Sequence, residues 1–189
     1  MTMVDARILH TTAALRGAIL GLAADRPVSA ITVADVTRAA GINRATFYSH
    51  AVSPGSLLAD VLTPELDSIR DEDAALREVP GADPSTITRR GISAVVEHIV
   101  AHREIYRWAL PDPNDASLHR LLAEHFRVSC VAHIAGMAPE DRPEVLHDVA
   151  AGFVAQGFVG AITVWVAGPR RSRKALVDTI TASLPAWWR

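Results

Sequence analysis

The sequence has few of the features that mark secreted, membrane-anchored or catalytic chains. Cysteine occurs once, at Cys130, so no intramolecular disulfide can form and no CxxC pair is available for a metal. That usage suits a reducing compartment, and a cytoplasmic location is expected. An excess of one charge is also missing. The formal net charge is -2, which argues against indiscriminate attraction to a polyanion. Met1 to Val4 is too short and too lightly charged to open a signal peptide, because Asp5, Arg7 and Arg16 interrupt the run that follows. There is no internal repeat, low-complexity tract or alternating strand pattern. No nucleophile elbow, phosphate-binding glycine loop or paired-carboxylate motif stands out, so enzymatic activity is not expected.

Histidine is more abundant, with 8 in the chain. His98 and His102 fall at i and i+4, a spacing that can hold a metal on one helix face. No third or fourth ligand stands nearby in the sequence, so these read as surface or capping groups and no metal or cofactor is expected. Cys130, inside an apolar run, reads as a small core hydrophobe.

With 189 residues, 49% of them hydrophobic, the chain can bury a real core. The stretch from Ile31 to His50, ITVADVTRAAGINRATFYSH, organises the rest. Thr32 precedes an apolar-periodic run and has Asp35 three residues on, the pattern of a reciprocal helix cap. A helix therefore starts near Val33, with Val36 and Ala40 on its buried face. Gly41 ends it by supplying a left-handed residue, and Ile42 follows as an apolar plug. Asn43 caps a second helix, Arg44 to His50, whose apolar anchor is Phe47. This is a helix-turn-helix whose second helix has the composition of a DNA reader. Charge is distributed to match, if thinly. Residues 1–60 hold five arginines against four aspartates, a balance of +1, and the remainder balances at -3.

The spacing of Thr32, Ala39, Gly41, Ile42, Thr46, Phe47, Tyr48, His50, Leu57 and Leu58 resembles the DNA-binding domain of the TetR family of transcriptional regulators, over roughly Asp5 to Leu62. The resemblance implies that Arg44, Ala45 and Tyr48 face base edges and that Thr46, Tyr48 and His50 hold phosphates. Thr32, Ala34, Asn43 and Ser49 complete the DNA-facing set. Arginine is the commonest reader of guanine, and hydroxyls and imidazoles are natural phosphate partners. The sequence departs from the family at two positions, with Ala51 where an aromatic is usual and Pro54 where a lysine is usual. A weaker salt dependence follows, because each lost phosphate contact lowers the slope by about 0.9.

The expected fold is all-α, with about nine helices: a three-helix DNA-binding domain over residues 1–54 and a helical ligand-binding and dimerisation domain over 55–189. Asp5 is expected to cap a first helix reaching Ala24, with Ile8, Leu15, Ile19 and Leu22 near one face. A fourth helix starts near Gly55. Pro64 inside it costs about 3 kcal/mol, so a kink or break is expected there, either an ordinary proline kink or a hinge between reader and sensor. Val79 to Pro84 is a linker. Helices follow from Pro84 to about His102, Glu104 to Leu110, and Ala116 to Ile134.

Val149 to Gly168 carries only Gln156 and Thr163 as polar side chains and has the length and composition of a membrane span. Its glycines, and the amphipathic stretch Ser172 to Trp188 that follows, favour a buried bundle helix instead, so no membrane contact is expected. HIVAHREIYRWAL and the Phe153 to Gly168 region also resemble a TetR-family subgroup. By that resemblance the last two helices, about Pro143 to Ala167 and Ser172 to Trp187, form a four-helix dimer interface. Val149, Gly152, Phe153, Gly160, Val164, Leu176 and Ile180 are its candidate residues. Tyr106, Trp108, Phe126, Cys130, Phe153, Phe158 and Trp165 are candidates to line a pocket for a small apolar effector. The expected protein is a homodimeric repressor of a palindromic double-stranded DNA operator, released by that effector. The alternative is a protein-interaction module on the same fold with weak or no operator binding.

Overall fold

The computed structural model describes residues 3–188, with side chains from Ile8 onward. Its elements are α1 (Met3–Asp25), α2 (Val33–Ala40), α3 (Arg44–Tyr48), α4 (Pro54–Arg77), α5 (Pro84–Ala101), α6 (Arg103–Ala109), α7 (Ser117–Gly136), α8 (His147–Ala167) and α9 (Arg173–Ser183), with short 3-10 turns between. No strand occurs among the described residues, and the all-helical class is as expected. Contacts gather the chain into two compact units, Met1–Thr63 with His102–Leu118 and Pro64–Ala101 with His119–Arg189.

In the first unit, α1 begins at Met3, so Asp5 lies within its first turn, with its side chain outside the described residues. Leu15 and Ile19 are buried as expected, whereas Ile8 is exposed. The unit closes on Val36, Phe47, Leu57, Leu58 and Leu62, and α6 packs against α1. Helix α4 starts at Pro54 behind a cap that the sequence reading did not assign. The Ser56 amide donates to Ser53 Oγ at 3.0 Å, and the Ser53 amide donates to Ser56 Oγ at 3.1 Å.

The second unit is built on the apolar faces of α5, α7 and α8, with α9 packed against α5 and α8. Asp83 caps α5: its Oδ2 accepts from the Thr86 amide at 3.0 Å and from the Ser85 hydroxyl at 2.7 Å. These bonds, the Thr86 hydroxyl foremost, hold its carboxyl down at about 2. Arg173 pairs with Glu97 at 2.7 Å, and Asp178 pairs with both Lys174 and Arg89, which ties α9 to α5. Helix α8 starts four residues later than Pro143, and α9 ends at Ser183 because Pro185 cannot continue it.

The expected break at Pro64 does not occur. Helix α4 runs uninterrupted through it. Leu58, Leu62 and Leu66 are fully buried along this helix, and burial of each side chain contributes about 1.5–3 kcal/mol, which offsets the lost backbone bond. The Thr63 hydroxyl also donates to the Ala59 carbonyl at 2.8 Å just before the proline.

The local bonds around α2 give a direct test. Thr32→Ala removes the acceptor of the Asp35 amide and should lower stability by about 1 kcal/mol, seen as an earlier urea midpoint. An unchanged midpoint would mean that the cap contributes nothing in solution.

Candidate nucleic-acid interface and effector cleft

The turn between α2 and α3 is made by the residues the sequence singles out. The Thr32 amide and hydroxyl donate to Asp35 Oδ2 at 3.1 and 2.8 Å, and the Asp35 amide donates back to Thr32 Oγ1 at 3.1 Å. Gly41 sits at φ 66°, in the left-handed region where a side chain is disfavoured. The Ile42 amide then donates to the Thr37 carbonyl at 3.0 Å, turning the chain sharply. Asn43 Oδ1 accepts from the Thr46 amide at 2.8 Å and opens α3.

Helix α3 is five residues long, ending at Tyr48, two residues short of the expected His50. Ser49 closes it, its hydroxyl donating to the Thr46 carbonyl at 2.7 Å. Phe47 is 0% exposed and is the anchor. Tyr48, 58% exposed, stands edge-on to Phe47 with ring centroids 5.5 Å apart, so the buried ring props the outward one. Arg44, Ala45, Ser49 and His50 are exposed, as are Thr32 and Asn43, whereas Ala34 and Thr46 are half-buried.

The cations nearby are unequal. Asp35 pairs with Arg26 at 3.0 Å and with Arg38 at 3.3 Å. The Thr32 bonds and then these two arginines hold its carboxyl below the usual range. Arg16 donates to the Val61 carbonyl at 2.7 Å. Arg44 has no acidic partner among the described residues. A groove beside α3 is bordered by Asn43, Thr46 and His50 and, from α1, by His10. Nothing in the sequence spacing pointed to His10, because only the packing of α1 brings it there.

Along α8, Val149, Phe153, Gly160 and Val164 fall on one outward stripe. The three large side chains are 60%, 78% and 63% exposed. A Cβ built at Gly152, Gly157 or Gly160 meets nothing, so the face is open to close approach. Leu176 and Ile180 differ from these, being buried inside their own unit where α9 packs on α5 and α8. Helix α8 is long and apolar enough to cross a membrane, and 44% of its most apolar window is buried in the fold.

The residues named for a pocket do not gather in one cavity. Tyr106 and Trp108 belong to the first unit, Tyr106 in its core and Trp108 exposed. Cys130 and Trp165 are core residues of the second unit, and burial pushes the Cys130 thiol up to about 11. Phe153 is exposed and, with Phe158, borders a separate groove between α8 and α9. Phe126 and Phe158 do meet, stacked at 4.3 Å, and they line a narrow cleft between α4, α5, α7 and α8 of about 50 Å³. Its other walls were not foreseen: Arg70, Asp73, Arg77, Thr88, His125 and Trp188. Sequence separations of up to 118 residues, from Arg70 to Trp188, hid this grouping. His98, paired by spacing with His102, has a carboxylate neighbour in its own unit, Glu65 at 3.0 Å from Nδ1.

A bundle of helices carries a capped helix-turn-helix near the start of the sequence. The fold is that of TetR-family transcriptional regulators. A protein described as a TetR-family transcriptional regulator from Syntrophomonas wolfei superposes with a TM-score of 0.71 at 13% identity, covering 91% of this chain and 91% of that one. A TetR transcriptional regulator from Streptococcus agalactiae gives 0.63 at 19% identity, covering 94% and 95%. The fatty acid degradation regulator FadR of Bacillus halodurans gives 0.63 at 12% identity, covering 91% and 93%. No family model matches the sequence, and no curated protein matches it.

Two outcomes follow from the geometry. If α3 reads DNA, Arg44→Ala should relax base preference at one position in each half-site and cost about 1–3 kcal/mol, with Tyr48→Phe costing less; binding isotherms equal to the parent would displace α3 from the reader's role. Burial, and then the charges of Arg70 and Arg77, lower His125 and His133 to about 4. Because the unfolded chain binds those protons first, the stability they contribute is complete above about pH 6.5 and is lost as pH falls towards 4. Thermal unfolding across that window should show the fall, and His125→Phe should flatten it.

Proposed function

We propose that the chain is a homodimeric transcriptional repressor that binds a palindromic operator through two copies of α3 and is released by a small-molecule effector. One observation carries the reading most. Five residues are held by a cap at one end and a buried Phe47 in the middle, so that Arg44, Ala45 and Tyr48 stand outward together. In this reading residues 1–54 read DNA and residues 55–189 sense the effector and dimerise, in the cytoplasm and without catalysis.

DNA reading needs two such helices about one helical turn apart, roughly 34 Å. The outward stripe of Val149, Phe153, Gly160 and Val164 supports α8 as the dimer face, since so large an apolar surface calls for a partner. Leu176 and Ile180 then act from behind, packing α9 so that it can share the interface.

A second reading has its own support. Arg26 and Arg38 share Asp35, which offsets one of their two charges and thins the positive charge beside α3. A protein-interaction module on this fold would have that character.

Selection of the purified protein against random duplex DNA separates the two. Enrichment of a palindrome, with a shallow salt slope because Pro54 stands where a phosphate-binding lysine is usual, is the expected result. No enrichment at low salt would favour the interaction module, and turnover independent of DNA would contradict both.

A further inference from the structure

We infer that His10 on α1 and His50 in the turn after α3 grip one backbone phosphate of the bound duplex between them, and that the protons they take up tie operator affinity to pH. This rests on the reading of α3 as the DNA-facing helix and adds to it a contact from α1.

The groove beside α3 is the basis. It holds about 520 Å³ and has two polar walls. One comes from α1 and carries His10 and Thr11; the other comes from the turn and α3 and carries Asn43, Thr46 and His50. The remaining lining, Ile8, Ala14, Ala40, Gly41 and Ile42, is apolar or glycine, and no carboxylate borders the groove among the described residues. Each of the five polar side chains can donate a hydrogen bond. Asn43 Oδ1 already accepts from the Thr46 amide at 2.8 Å, so its amide nitrogen is the part left for a ligand. Donors on both walls with no acid among them select an anion. A phosphodiester lying along α3 is the anion that DNA reading brings there.

The two imidazoles are the titratable part of this surface. Both residues are exposed, and neither ring has a hydrogen bond or ion pair among the described residues. The charged groups of the neighbouring elements are engaged away from them. On α1, Arg16 donates to the Val61 carbonyl at 2.7 Å. On α2, Asp35 is shared by Thr32, Arg26 and Arg38. On α6, which packs against α1, Arg107 pairs with Glu104 at 3.6 Å. None of these borders the groove, and neither does Arg44. A proton on His10 or His50 therefore has no acid on the groove wall to offset it.

Imidazole is the side chain whose ordinary titration falls between about pH 5 and 8. A phosphate held between two rings favours their charged form, so the complex binds more protons than the free protein. By linkage, affinity then rises as pH falls. The contribution is large beside the charge already present, since residues 1–60 balance at only +1. In a dimer four such rings respond together.

The duplex enriched by selection is titrated into the full chain by calorimetry at about pH 8 and about pH 6.5, a window above the fall in stability set by His125 and His133, at fixed ionic strength and in buffers of different ionisation enthalpy. Affinity should rise about tenfold or more at the lower pH, with net proton uptake on binding. The salt slope should steepen there by up to about 0.9 for each clamped phosphate. His10→Gln and His50→Gln keep a donor but cannot take a proton; each should reduce the uptake, and the double variant should abolish it while still binding at the higher pH. Both residues are exposed, so these variants leave the core untouched, and the pH dependence of the parent stands without them. Equal affinity at the two pH values without proton uptake overturns the clamp and leaves the reading of α3 intact. Uptake that survives the double variant, or His10→Gln behaving as the parent, overturns it as well. If no duplex is enriched at low salt, the reading of α3 falls and the clamp falls with it.

Discussion

A helix of five residues cannot hold itself in water. Nucleation fixes several backbone angles for each early hydrogen bond, and isolated helices shorter than about a dozen residues are marginal. Helix α3 therefore exists because other groups impose it: Asn43 closes its first turn, Ser49 its last, and Phe47 is driven fully into the core of the first unit. Burial of a phenylalanine is worth about 1.5–3 kcal/mol, enough to outweigh the cost of a short helix. The outward residues inherit their directions from that one inward side chain, and Tyr48 does so through direct ring contact.

The angle between α2 and α3 depends on a second local device. The reciprocal Thr32 and Asp35 cap starts α2 at a defined residue, and Gly41 ends it in a conformation that other residues adopt only with strain. Asp35 thereby has two roles in tension. It organises the turn into α3, yet its single charge is also shared by Arg26 and Arg38, whereas Arg44 has no acidic partner among the described residues.

The parts legible in the sequence were those governed by contacts three or four residues apart. The capping box, the left-handed glycine, the Asn43 cap and the Phe47 anchor are all of that kind, as are the helix periods that made the all-α class readable. The parts that were not legible depend on which helices meet. Leu176 and Ile180 have the same periodicity whether they face a partner chain or their own α5 and α8, so sequence could not place them in the core. Trp108 and Phe126 look equally suited to a pocket until the fold puts them in different units. Pro64 reads as a breaker when only its own cost is considered, and the buried leucines around it reverse the outcome. Arg70 and His125 lie 55 residues apart and share no motif, yet the fold places them on the wall of one cleft.

Duplication of the reader is the claim on which the functional account rests, and α8 is where it is exposed to test. Phe153 is the most outward of its large apolar residues, so Phe153→Asp should not disturb the fold of a single chain. Sedimentation equilibrium of parent and variant, each followed by titration with a selected palindromic duplex, measures the claim directly. The account predicts that the parent sediments as two chains and binds the palindrome, while the variant sediments as one folded chain and loses that affinity. A parent that is monomeric yet binds the palindrome fully, or a variant that remains a dimer with unchanged affinity, would contradict it.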